Sequence, residues 1–242
     1  MKLAVIGGTG LIGSQVVKDL NAAGHEAVPH SKSTGVDVVS GEGVDEAVAG
    51  AEVLVNLTNS PTFDEASPAF FQASMDNLMA AGRKSGIRHF VILSIVGVDR
   101  VPELDYYRAK ALQENLLAAG PIPYSIVRAT QFMEFIEAAM SWTADSDTVR
   151  LPATPIQPIA SKDVAAAVAE VAVGAPLGGI RNIAGPEIFS LDELGRITLA
   201  HKSDGRTVVT DPTAGMFAAV KGDVLTDKDA RLAPTRYTDW LS

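Results

Sequence analysis

The stretch Val5-Ile6-Gly7-Gly8-Thr9-Gly10-Leu11-Ile12-Gly13 constrains this chain more than any other. An apolar run ends in a cluster of glycines, and a helical pattern begins at Leu11. Gly8, Gly10 and Gly13 fit a G-x-G-x-x-G spacing, and Gly7, Gly10 and Gly13 fit the wider G-x-x-G-x-x-G. Each position asks for glycine for its own reason: a sharp turn, a close approach of backbone to a ligand, and tight packing of helix on strand. A helix that starts there presents free N–H groups and a partial positive charge. The spacing alone is a weak signal; at a strand–turn–helix that opens an α/β chain it points to the pyrophosphate of a dinucleotide, over a plain tight turn. Gly7, Gly8, Thr9, Gly10, Leu11, Ile12 and Gly13 are therefore candidate cofactor residues.

The chain beyond the turn supports that assignment. Short apolar runs alternate with helical patterns, which argues for an α/β class with a doubly wound parallel sheet and helices on both faces. Strands are expected at 3–6, 26–30, 36–39, 53–57, 89–93, 124–127 and 180–183, and helices at 11–23, 44–49, 68–85, 104–119, 161–173 and 191–200. Pro29 lacks a ladder donor, so the second strand is expected to be short or irregular there. Ser161 is a candidate cap for its helix, and Ser190 with Glu193 reads as a capping box. Topology rules give the strand order 3-2-1-4-5-6. The 242 residues are expected to form a single Rossmann-type domain. From about residue 132 onward the alternation loosens around Pro152, Pro155 and Pro158, which suggests a C-terminal lobe that covers the substrate.

Composition removes several classes of function. A net charge of −9 with interleaved signs disfavours nucleic acid or an anionic membrane as partner. The chain has no cysteine, which removes thiol nucleophiles, disulfides and cysteine metal sites. The four histidines are too scattered for a local metal-ligand spacing. No segment reaches the ~20 apolar residues of a bilayer span. The glycine turn comes directly after the first strand, so a cytoplasmic protein without a signal peptide is expected, acting on a small molecule.

The choice of dinucleotide turns on the end of the second strand. An acidic residue there would hold the ribose hydroxyls of NAD. The sequence instead reads His30-Ser31-Lys32-Ser33. Lys32 suits a 2′-phosphate, with Ser31 and Ser33 as donors, so NADP is favoured and NAD is the alternative. An isolated lysine in solvent is the plainer reading of Lys32. Asp37 and Val38 are candidates to edge the adenine, and Asn56, Leu57 and Thr58, with Asn59, to line the adenosine ribose.

Tyr106 and Lys110 lie four apart at the start of a helical pattern and share one helix face. A lysine ammonium beside a tyrosine lowers the phenol pKa from about 10. Such a tyrosine passes a proton to a carbonyl oxygen, and the lysine can also bond a nicotinamide ribose. Tyr107 competes with Tyr106 for the pocket, and two tyrosines at a helix start also serve as packing residues.

With the glycine turn, Leu93-Ser94-Ile95-Val96-Gly97-Val98, Tyr106–Lys110 and Val127-Arg128-Ala129-Thr130-Gln131-Phe132, the chain resembles the NmrA-like NAD(P)H-binding group of atypical short-chain dehydrogenase/reductases. The resemblance spans nearly the whole length, with later echoes at Asp163-Val164-Ala165 and Ala184-Gly185-Pro186-Glu187. It implies a Rossmann core, a nicotinamide cofactor and a small substrate near the tyrosine. It also implies a serine after the central strand that steadies a substrate carbonyl. That position falls on Ile95, with Ser94 one residue early, and a one-residue step along a strand reverses the side-chain direction. Ser94, Tyr106 and Lys110 are the catalytic candidates, and Gln131 is a candidate polar contact near the nicotinamide. Ile95, Val96, Tyr107, Phe132, Phe135 and Pro158 are candidate substrate contacts, with Met140 and Trp142 extending an apolar pocket for a flat aromatic or quinonoid ligand. Arg128 reads as half of a structural ion pair.

Three functions fit. The first is an NAD(P)H-dependent reductase of a carbonyl or quinone. The second is a polyketide-tailoring monooxygenase that works through an oxygen-reactive hydroquinone. The third is a non-catalytic NmrA-like redox sensor.

Overall fold

A computed structural model of the chain describes residues 1–62 and 64–242. The first half carries, in chain order, β1 (Lys2–Ile6), α1 (Leu11–Ala22), β2 (Glu26–His30), α2 (Val44–Val48), β3 (Val53–Asn56), α3 (Ser67–Ser85), β4 (His89–Ile95), α4 (Asp105–Ala119) and β5 (Tyr124–Ala129). The second half carries α5 (Met133–Ser141), β6 (Thr148–Leu151), β7 (Pro155–Ile156), α6 (Ser161–Val173), β8 (Gly179–Ala184), β9 (Phe189–Ser190), α7 (Leu191–His201), β10 (Thr207–Thr210), β11 (Arg231–Leu232) and α8 (Tyr237–Leu241).

The central sheet has seven strands in the order β11-β8-β5-β4-β3-β1-β2. β1 runs parallel to both neighbours, so that Val5 lies between Pro29 of β2 and Val55 of β3. This is the expected α/β, Rossmann-type sheet, with two corrections at its edge. Residues 36–39 form no strand, and the order 3-2-1-4-5-6 therefore loses its outer member. The reason is local. Asp37 Oδ1 accepts the Val39 N–H at 2.8 Å, its carbonyl accepts the Gly41 N–H at 2.9 Å, and its own N–H donates to the Glu42 carbonyl at 2.9 Å. The backbone groups a ladder would need are spent on a turn. Gly43 closes the loop: a Cβ there would lie 2.3 Å from the Gly35 carbonyl. The second correction is a consequence of the first. β2 becomes the edge strand, where a proline costs no ladder bond, and Pro29 keeps regular register.

The chain divides into two compact units, 1–128 with 164–181, and 129–163 with 182–242. In the first, Ala4, Ile6, Leu54, Phe90 and Ile92 from the sheet pack with Met75 and Leu78 of α3 and Leu117 of α4. α3 shows why such a helix forms. Pro68 occupies its first turn, Phe71, Met75, Leu78 and Gly82 repeat on its buried face, and Gly86 ends it with φ +75°.

In the second unit β6 pairs with β10 in parallel, and β7 with β9 antiparallel. The start of α7 departs from the expected cap. Ser190 precedes α7 without a side-chain cap bond, and its hydroxyl engages Asp192 instead. Ser161 spends its hydroxyl on Glu134 of α5 (Oγ to Oε1, 2.5 Å), and the same carboxylate accepts the Ser161 N–H at 3.2 Å. Glu134 thus supplies an acceptor for the first helical N–H of α6.

Candidate functional site

The glycine turn is fixed by backbone geometry. The N–H groups of Gly7 and Gly8 both donate to the His30 carbonyl, at 2.8 and 3.1 Å, which ties the turn to the end of β2. Gly7 adopts φ +77°, and a Cβ there would meet the Leu57 backbone at 2.8 Å. At Gly13 a Cβ would stand 2.1 Å from the Gly7 carbonyl, so α1 approaches the turn more closely than any side chain allows. Gly10 differs from both. A Cβ on it would meet only the Gly7 carbonyl, at 3.3 Å, and the residue is exposed.

Gly10 is also the N-cap of α1, with no side-chain cap bond and no acidic residue in the first turn. The first N–H groups of a helix have no acceptor within it. The N-cap of α1, a glycine, has no side chain to supply one, while α2 and α7 each carry two acids in that turn. Leu11 and Thr9 are exposed, Ile12 and Gly13 buried. The result is an electropositive, open, Cβ-free cradle that fits a pyrophosphate.

The residues expected around the adenosine end fall into two sets. Ser31, Lys32 and Ser33 lie at the surface beyond β2. The Ser31 and Ser33 hydroxyls are 2.8 Å apart, and Ser31 with Thr34 forms a reciprocal capping box. Lys32 is 74% exposed and pairs with Asp37 at 3.1 Å. The Asp37 carboxyl is held below the usual carboxylate range by the Val39 N–H and then by Lys32. Val38 does not edge a surface site: it is buried in the core beside Val44 and Val48. Asn56 is buried too. Its Oδ1 accepts both the N–H and the hydroxyl of Thr58, at 3.0 and 2.7 Å. Asn56 therefore shapes the loop after β3, in which Leu57 and Thr58 remain half-buried.

The start of α4 differs most from the sequence reading. The Tyr106 hydroxyl donates to Asn59 Oδ1. Burial, and then Tyr107, push the Tyr106 phenol above its ordinary value. The expectation that Lys110 lowers it is corrected, because the amine goes elsewhere. Lys110 Nζ donates to the Leu93 carbonyl at 2.7 Å and to Gln113 Oε1, and it lies 5.0 Å above the centre of the Phe71 ring. Burial brings the Lys110 ammonium down to about 7, with Glu114 opposing. The Phe71 ring also lies near Tyr106, with ring centroids 6.3 Å apart. Shared helix face did not produce contact.

Ser94 is buried with no partner for its hydroxyl. It alternates in phase with Phe90 and Ile92, which pack with α3 and α4, and Ile95 points to the other face of the sheet. Val96 and Tyr107 are buried. Arg128 makes the expected structural pair, with Nε and Nη2 on Glu114 at 2.9 and 2.6 Å and Nη1 on Asp99 at 3.2 Å.

In the second unit, Gln131 is buried with neither amide atom bonded. Phe132 bridges Ile159, and Pro158 is buried with its carbonyl against Gly185. Phe135 packs edge-on against Trp142 and Phe217, with centroids 5.2 and 6.2 Å apart. Met140 is buried and lines no open surface.

Sequence reasoning missed Phe71 and Gln113. Gln113 carried a faint signal, three residues beyond Lys110 on the same helix; Phe71 carried none. Among the described residues no group of His, Asp or Glu could hold a metal ion, and no helix is long and apolar enough to cross a membrane.

Comparison with known proteins agrees with this geometry. Residues 7–173, more than half of the chain, match the NAD(P)H-binding family. The photosystem II assembly factor Ycf39 of Synechocystis is 26% identical over 55% of this chain and 46% of its own. Divinyl chlorophyllide a 8-vinyl-reductase of Cucumis sativus is 26% identical over 69% of this chain and 48% of its own. The chain thus spans about half the length of these curated relatives. Among solved structures, the NADPH-dependent quinone oxidoreductase QOR2 of Escherichia coli superposes with a TM-score of 0.70 over 99% of this chain and 98% of its own, at 17% identity. That likeness shows the fold. The chain belongs to the NAD(P)H-binding family, consistent with the NmrA-like group of atypical short-chain dehydrogenase/reductases that its motifs resemble.

Proposed function

We propose that this chain is an NAD(P)H-dependent reductase of a carbonyl or quinone on a small, aromatic substrate, with NADPH the preferred reductant. The observation that carries the reading is Tyr106, whose hydroxyl is held by Asn59 Oδ1 at the head of α4. A phenol hydroxyl can donate its proton to a carbonyl oxygen that gains negative charge.

When bound, the reduced nicotinamide supplies a hydride. The chain supplies the rest. The first-turn amides of α1 would hold the pyrophosphate, and the absence of a Cβ at Gly10 would leave room for it. Ser31, Lys32 and Ser33 would hold a 2′-phosphate, and Lys32 is paired with Asp37 in this structure. The Tyr106 hydroxyl turns from Asn59 to the substrate oxygen and gives up its proton. The names of two similar proteins, a vinyl-reductase and a quinone oxidoreductase, support a reductase in general.

The test is NADPH oxidation across a panel of quinones and aromatic ketones, with Tyr106→Phe as control. Turnover that collapses in the variant supports the reading; turnover that survives intact removes Tyr106 from the mechanism. Oxygen uptake matching NADPH consumption would place the reduction at the start of a monooxygenation.

A second reading, the redox sensor, draws on Lys110, which is docked on Leu93 away from Tyr106, and on Ile95, which stands where the resemblance implies serine. Tight NADPH binding with no turnover on any substrate would favour it.

A further inference from the structure

Lys110 has three engagements and two neighbours that are short of partners. Its amine meets the Leu93 carbonyl, Gln113 Oε1 and the face of Phe71. Gln113 is fully buried, and its Nε2 has no acceptor; Ser94, next to Leu93, is buried with an unpaired hydroxyl. Buried polar atoms are almost always satisfied, so two orphans beside one buried amine mark a cluster kept for more than stability.

Gln113 Oε1 is one of two hydrogen-bond acceptors of this amine. Phe71 from α3 and Ser94 from β4 bring no charge. On α4 itself the other charged or titratable groups are Asp105, Tyr106, Tyr107, Arg108 and Glu114, and Asp105 is paired with Arg108. Glu114 is already claimed by Arg128 of β5, which also takes Asp99. The neutral carbonyls of Leu93 and Gln113 are therefore the hydrogen-bond acceptors of the amine, and both favour its charged form.

We propose that Gln113 is a positioning residue for Lys110, which holds the amine on the Leu93 carbonyl and thereby sets whether Lys110 carries its charge when the dinucleotide arrives. This rests on the NAD(P)H reading for its purpose, though not for its test. In this arrangement Lys110 is a proton store at the end of β4 in place of a permanent cation beside Tyr106. Binding of an anionic dinucleotide draws the charged form, so a proton enters from solution near neutral pH.

The experiment is an NMR titration of protein carrying 13Cε-labelled lysine, without dinucleotide, from pH 5.5 to 10. The Lys110 signal is assigned by its loss in Lys110→Met. In the wild-type chain it should titrate near 7, apart from the other lysines. Gln113→Glu, which places a carboxylate on the amine, should raise the midpoint by at least one unit. Gln113→Leu, which removes an acceptor and leaves the burial, should lower it by at least half a unit, and Gln113→Met replaces it if the leucine variant melts early. A Lys110 midpoint unmoved in the folded variants, or one that coincides with the surface lysines, overturns the proposal. A wild-type chain that titrates as expected and binds no NADPH would sink the dinucleotide reading and leave the role of Gln113 standing.

Discussion

The glycine turn and the start of α4 both carry motifs with the right spacing, yet only the first adopts the geometry its spacing implies. At Gly7–Gly13 the requirement is an absence. A Cβ at Gly13 or Gly7 collides with backbone at 2.1 and 2.8 Å, and neighbours in the same short segment or the adjoining loop enforce it. At Tyr106–Lys110 the requirement is a presence: two long side chains must turn toward each other. Each has several rotamers, and each finds a better partner elsewhere, Asn59 for the tyrosine and Leu93 for the lysine. Motifs made of backbone constraints are read reliably from spacing. Motifs made of side-chain reach are not.

Five variants can break or sharpen this contrast. The largest effect belongs to Gly13→Ala. Overpacking against the Gly7 carbonyl should cost about 3 kcal/mol and abolish NADPH binding, as seen by thermal melts and calorimetry. Gly10→Ala is its counterpart: a stable fold with weakened NADPH binding is expected, and a melt as low as that of Gly13→Ala would erase the distinction between packing and ligand glycines. Next comes Tyr106→Phe. Loss of a proton donor should lower kcat by about 100-fold, with NADPH affinity within roughly twofold of wild type. A large drop in affinity instead would make Tyr106 part of the binding surface.

A smaller effect is expected at Lys32. Lys32→Ala should cut the preference for NADPH over NADH by about tenfold, since a charge-assisted bond to the 2′-phosphate is lost; equal affinities for the two in the wild-type chain would refute its assignment. The smallest concerns His89, at the opposite end of β4 from Ser94. Its Nε2 lies 2.8 Å from Ser125 Oγ, and burial holds its pKa below the ordinary 6.5. The folded state thus binds fewer protons than the unfolded one below that value, so stability is intact above about pH 6.5 and falls as pH drops through and below it. His89→Gln should flatten the melting temperature between pH 5 and 6.5, and an unchanged slope would show that another group carries it.

Much of the fold was legible. The bounds of β2 and α6 agree with those expected, and α3 and α4 differ by one residue at their starts. The exception at residues 36–39 is instructive. Val36 and Val38 alternate as a strand would, but Asp37 captures the backbone into a turn and both valines serve the core as loop residues. Period-2 alternation reports burial, not pairing. The pieces β6, β7, β9, β10 and β11 have two to four residues each, too short for any period to emerge.

The sequence by itself determined the parallel sheet, the cradle at its first turn and the identity of the side chains at the head of α4. These depend on hydrophobic period and on backbone sterics, which act over a few residues. Only the tertiary structure decided the partners of those side chains. Tyr106 meets a residue 47 positions away and Lys110 a carbonyl 17 away. Lys110 also lies beneath an aromatic ring from α3 that no local pattern announces. Protonation depends on such partners and on burial, and both exist only once the chain has folded.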